Sequence, residues 1–124
     1  MSDFGVTTKN VIDSPWLETK CVAVGPVPPT GGTPDLYVLI EDSGRPCLRV
    51  DLYDGEEQAC CFEEAIIWKT WAAVGRGNRV HLISTASGAA RSIELGDYFG
   101  HFYPHDDFLL AAFGSGLMKI NADG

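Results

Sequence analysis

The sequence predicts an all-β fold of three hairpin or blade-like repeats, forming a twisted antiparallel sheet or sandwich. Three observations predict it. The first is an imperfect repeat: DLYVLIEDSGRPCLRVDLYDG at Asp35–Gly55, WAAVGRGNRVHLISTASG at Trp71–Gly88 and DFLLAAFGSGLMKINADG at Asp107–Gly124. Each copy holds an apolar run, a Gly-containing break, a second partly apolar run and a small polar turn closing on Gly. The closing glycines Gly55, Gly88 and Gly124 lie 33 and 36 residues apart, a period that signals stacked supersecondary units. The second observation is the period-two alternation of Leu48–Tyr53, which gives a strand one buried and one wet face. The third is the punctuation. The chain has 14 Gly and 7 Pro, which suits short elements joined by tight turns.

Taken in order, residues 1–15 are polar and are expected to form a flexible N-terminal arm. Residues 16–124 then make a single all-β repeat domain. Cys21, Val22 and Val24 suggest a short strand after Trp16. The stretch Gly25–Pro34 (GPVPPTGGTP) is a surface loop, because proline removes donors and fixes φ. Leu36–Ile40 is the clearest strand, Glu41–Pro46 a turn, and Leu48–Tyr53 the returning strand. Asp54-Gly55 suits a hairpin turn with positive φ.

Residues 56–74 admit two readings. Repeat register gives strands at Gln58–Glu63 and Ala65–Val74. Alternatively, Glu56, Glu63 and Thr70 lie seven apart on one polar stripe, and glutamates suit the first turn of a helix. A helix over 56–74 would make the fold α+β. Register favours the strands, since EEQACCFEE after the first unit parallels AARSIELGD after the second.

The predicted core is Val22, Val24, Leu36, Val38, Ile40, Leu48, Val50, Leu52, Ile66, Val80, Leu82, Ile93, Leu95, Leu109, Leu110, Met118 and Ile120. The third unit is expected to lack a final strand, and Glu18–Val24 is the candidate to complete it. Three units cannot close a propeller ring, so edges are left that invite pairing. A homo-oligomer is one expectation that follows. The tail LGDYFGHFYPHDDFLLAAFGSGLMKINADG resembles uncharacterised bacterial proteins with β-propeller-blade-like repeats, over roughly residues 35–124. The resemblance concerns the fold and transfers no catalytic motif.

With 17 acidic and 9 basic residues the formal net charge is −8. Such a chain repels a phosphate backbone, so nucleic acid is not an expected partner. No basic amphipathic face suits an anionic membrane. A basic protein partner is the complementary expectation. The first residues, MSDFGVTTKNVIDSPW, lack the n- and h-regions of a signal peptide, and no run approaches transmembrane length. The expected location is cytoplasmic. Cys21, Cys47, Cys60 and Cys61 show no CxxC spacing and are expected to be small buried hydrophobes in a reducing compartment.

The densest polar and aromatic cluster is YFGHFYPHDD, Tyr98–Asp107, in the connection between the second and third units. Tyr98, His101, Tyr103, His105, Asp106 and Asp107 are the candidate ligand or partner contacts. The histidines and aspartates are also candidate metal ligands by type. A helix would bring His101 and His105 together, but Pro104 disfavours helical geometry at Tyr103. Trp68 and Trp71 are candidate stacking contacts. On one flat strand they face opposite sides, and on a helix they share a face.

Asp51, Asp54, Glu56 and Glu57 show no spacing that implies a cleft for acid–base work. There is no G-x-S-x-G, and Gly75-Arg-Gly77 is followed by no Lys-Ser/Thr, so it reads as a hairpin or bulge. No cofactor is expected. The function that fits best is a non-catalytic binding module. The alternatives are a small enzyme or metal-binding protein using His101–Asp107, and a self-assembling structural subunit.

Overall fold

Alternation and turn chemistry place eleven strands among the described residues. The computed structural model describes residues 4–9, 11–25, 34–53 and 63–121. The order is β1 (Phe4–Lys9), α1 (Ser14–Leu17), β2 (Cys21–Val24), β3 (Leu36–Asp42), β4 (Arg45–Leu52), β5 (Glu63–Trp68), β6 (Trp71–Arg76), β7 (Arg79–Ser84), β8 (Ala90–Glu94), β9 (Phe99–Pro104), β10 (Phe108–Phe113) and β11 (Gly116–Asn121). Among the described residues the fold is all-β apart from a single helical turn. No helix among the described residues is long and apolar enough to cross a membrane.

The strands form three sheets. The first runs β1-β3-β4-β2, the second β5-β6-β7-β8 and the third β11-β10-β9. All neighbours are antiparallel except β2 and β4, which are parallel. The hairpin β3–β4 turns on Ser43-Gly44, both at positive φ, as a two-residue type I′ turn requires. Pro46 sits beside the register shift at Ile40/Glu41, beyond the reach of β2, which pairs only with residues 49–52. Its missing N–H is tolerated at such a place.

The second sheet lies between the other two. On one face Ala72, Val74 and Ile83 pack with Val38, Ile40, Leu48, Val50 and Leu52 of the first sheet. On the other face Trp68, Ala73, Val80 and Leu82 pack with Phe99, Phe102, Leu109, Ala111 and Ile120 of the third. Each Val, Leu, Ile or Phe among them, fully buried, contributes about 1.5–3 kcal/mol. Burial on both faces explains why β6 and β7 read as near-continuous apolar runs rather than alternating ones.

Several expectations change here. Phe4–Lys9, read as part of a flexible arm, is a strand paired with β3 from Phe4↔Asp42 to Lys9↔Tyr37. Ala65–Val74, read as one strand, is broken at Lys69-Thr70 into β5 and β6. The helix alternative fails over residues 63–74 for the same reason. The expected turn Asp54-Gly55 and strand start Gln58 lie outside the described residues. β2 joins the first sheet instead of completing the third. Leu110, predicted in the core, faces away from it, because its neighbours Leu109 and Ala111 point inward.

Candidate functional site

The outer face of the third sheet carries the candidate site, and a bulge in β9 creates it. Ala112 pairs with His101, but Phe113 pairs with Phe99, so Gly100 is the extra residue. Residues two apart on a regular strand share a face. The extra residue cancels that rule. Phe99 and Phe102 point into the core, and His101 and Tyr103 point outward.

Three contacts fix this segment against the second sheet. The Phe99 N–H donates to the Gly77 carbonyl at 2.6 Å and the Leu95 N–H to the Asn78 carbonyl at 2.9 Å. Both acceptors belong to the Gly77-Asn78 hairpin turn, with Gly77 at positive φ. The third contact is steric. A Cβ on Gly75 would lie 2.3 Å from the Phe99 ring, so only glycine there lets the ring seat.

Glu64 anchors the middle of β9. One oxygen accepts the Phe102 N–H at 2.8 Å and lies 2.9 Å from His101 Nδ1. At the far end, the Trp68 indole N–H donates to the His105 carbonyl at 2.8 Å. So β5 and β9 run in the same direction across the interface, with Glu64 meeting the middle of β9 and Trp68 its far end.

A groove of about 470 Å³ opens beside the bulge. Tyr98, His101 and Tyr103 line it together with Asp97, Gly100 and Gly114. Tyr98 and Tyr103 are 47% and 50% exposed. The His101 and Tyr103 rings meet edge to face, with centroids 4.7 Å apart. The Gly114 N–H donates to the Tyr98 carbonyl at 3.0 Å, which ties the β8–β9 link to the β10–β11 turn. The Asp97 carboxylate accepts the Tyr98 N–H at 2.8 Å. It lies so close over Gly114 that a Cβ there would sit 2.6 Å from it.

The expected cluster therefore divides. Tyr98, His101 and Tyr103 share the groove. His105 follows β9 and stacks on Phe108, centroids 4.4 Å apart. Asp106 and Asp107 are exposed in the β9–β10 turn. Trp68 is buried in the core and Trp71 is partly buried against it. The two tryptophans pair directly across the β5–β6 hairpin and share a face, contrary to the one-strand reading, because a turn separates them. They form no exposed platform.

His101 and His105 are four residues apart along an extended chain, or about 13 Å. That is far too long for one coordination shell. Among the described residues no three His, Cys, Asp or Glu side chains are grouped to hold a metal.

Two features lay outside the sequence reading. Asp97 and Glu64 gave no signal in the pattern, because their role depends on sheet stacking. His81 is wholly buried between the first and second sheets. Its Nδ1 lies 2.7 Å from Ser92 Oγ, and its Nε2 has no hydrogen-bond partner among the described residues. Burial, with Arg79 and Arg76 adding to it, pushes its pKa down to about 4.

Comparison with protein families, curated proteins and solved structures gives no match. The site's chemistry is therefore read from its own geometry.

Proposed function

We propose that the chain is a non-catalytic protein-interaction module that meets a basic protein partner on the outer face of its third sheet. One observation carries this reading: that face presents apolar and aromatic side chains to solvent on a chain of net charge −8. Tyr98 and Tyr103 are half exposed, and Leu117 is 62% exposed. Exposed aromatics beside acidic groups suit a partner that offers apolar contact and positive charge. Asp106 and Asp107 stand on the rim at the β9–β10 turn, where a partner's basic residues would meet them. Cys21 and Cys47 are free thiols, which fits a reducing setting, but Cys21 is exposed and Cys47 half-buried where both were expected to be buried.

The test compares the native chain with the double variant Asp106→Lys/Asp107→Lys in affinity capture from source lysate. The expected result is a basic protein that the native chain retains, that raised salt releases, and that the variant recovers poorly. Equal recovery by both chains overturns the reading.

A second reading rests on the third sheet having, among the described residues, three strands where its neighbours have four. Among the described residues the outer edge of β11 pairs with no strand, and a second copy could add one there. Light scattering across micromolar concentrations distinguishes it: a dimer supports self-assembly, and a monomer throughout removes it.

A further inference from the structure

We infer that the groove beside the β9 bulge is a receptor for one basic side chain, an arginine or lysine of an extended peptide. The inference rests on the protein-interaction reading and gives it a site and a ligand class. Asp97 is the central observation. Its carboxylate accepts a single backbone N–H, from Tyr98, and no lysine or arginine pairs with it among the described residues. The groove lining contains no lysine or arginine at all. A carboxylate accepts several hydrogen bonds when ionised, and Asp97, which lines the groove, uses only one of them among the described residues.

The backbone puts it there. Gly114 leaves the space that a Cβ would deny, and the Gly114 N–H holds the Tyr98 carbonyl. Glu64, whose Oε1 meets the Phe102 N–H and His101, does not line the groove. That leaves Asp97 as the open acceptor.

The walls suit the same ligand. The half-exposed rings of Tyr98 and Tyr103 offer π-faces that attract a cation and apolar surface for its methylene stem. The contact between His101 and Tyr103 steadies one ring. A volume of about 470 Å³ falls within the range of ligand-binding clefts. An anion would meet Asp97 with Glu64 behind it. A neutral group would cover the carboxylate without supplying a counter-charge, which costs free energy. A guanidinium or ammonium supplies the charge and the donors together.

The experiment titrates the full chain with three short peptides of neutral sequence, carrying arginine, lysine or citrulline at the centre. Citrulline keeps the shape of arginine and removes its charge. Amide cross-peaks of residues 97–101 and 114 report the location, and the titration gives the affinity. The arginine peptide is expected to move those cross-peaks and to bind about tenfold tighter than the citrulline peptide. Asp97→Asn should erase that difference, and Tyr103→Ala should weaken the arginine peptide by about threefold or more. Both positions lie outside the core, and a thermal melt checks that each variant is folded.

Equal affinity for arginine and citrulline peptides overturns the inference, as do shifts confined to other surfaces. If the basic partner is still captured in an Asp106/Asp107-dependent way, the interaction reading survives that failure. If neither peptide nor basic protein binds, both fall.

Discussion

His81 couples a single residue to solution pH. Its ring is sealed between sheets, paired through Ser92 and flanked on the same face by Arg76 and Arg79. Those arginines pair with Glu63 and Glu94 respectively, but they still oppose a second positive charge nearby. The neutral ring is therefore the folded form, with a pKa lowered to about 4. In the unfolded chain the ring takes its proton near its ordinary value of about 6.5. Folding then releases that proton, so the stability present above pH 6.5 is lost as pH falls towards 4. The full loss is about 3 kcal/mol, from roughly 2.5 pH units at 1.36 kcal/mol each. Urea unfolding at pH 7.5, 5.5 and 4.0 should show the fall. His81→Leu conserves volume approximately and leaves the exposed Ser92 to water, so it should remove that part of the fall. Identical pH curves for native chain and variant would show that His81 does not set it.

At the scale of elements, the interface between the second and third sheets depends on Gly75. Replacing it with alanine puts a methyl where the Phe99 ring sits. Either the ring moves or β9 shifts, and overpacking of this kind costs about 1–3 kcal/mol. Gly75→Ala should lower the thermal midpoint and disturb the amides of Phe99–His101, since the bulge is anchored at that ring. An unchanged melting curve would mean that Phe99 does not need this seat.

Strand β9 also shows why part of the element map was hard to read. Its inward residues Phe99 and Phe102 are three apart, because the bulge at Gly100 interrupts the alternation. That spacing hides a strand, and Pro104 with the Asp106-Asp107 pair made the segment look like a connection. The break between β5 and β6 was hidden differently. Its turn residues, Lys69-Thr70, include no Gly, Asn or Asp, yet Lys69 adopts φ 54°.

At the scale of the molecule, the middle sheet is buried on both sides while the outer sheets each show one face to water. Opening β6 or β7 requires loss of both core clusters, whereas β11 can fray at an outer edge. Native-state hydrogen exchange should therefore find the slowest amides at Ala72–Val74 and Val80–Ile83, close to the global unfolding free energy. Amides on the outer edge of β11 should exchange at least about a hundredfold faster. Similar protection across all three sheets would contradict the layered arrangement.

The sequence alone determined the all-β class, the hairpins β3–β4, β6–β7 and β10–β11, and most of the core. Those features are local: alternation, glycine-containing turns and apolar runs act over fewer than ten residues. It also singled out Tyr98, His101 and Tyr103 as a cluster, from their density alone. Tertiary structure decided which sheet each strand joined, that Phe4–Lys9 pairs with β3, and that Trp68 and Trp71 serve the core. It alone set Asp97 over Gly114 and Glu64 behind His101. Those placements depend on sheet stacking between residues far apart in the chain, through shape and hydrogen-bond partners that no short stretch of sequence encodes.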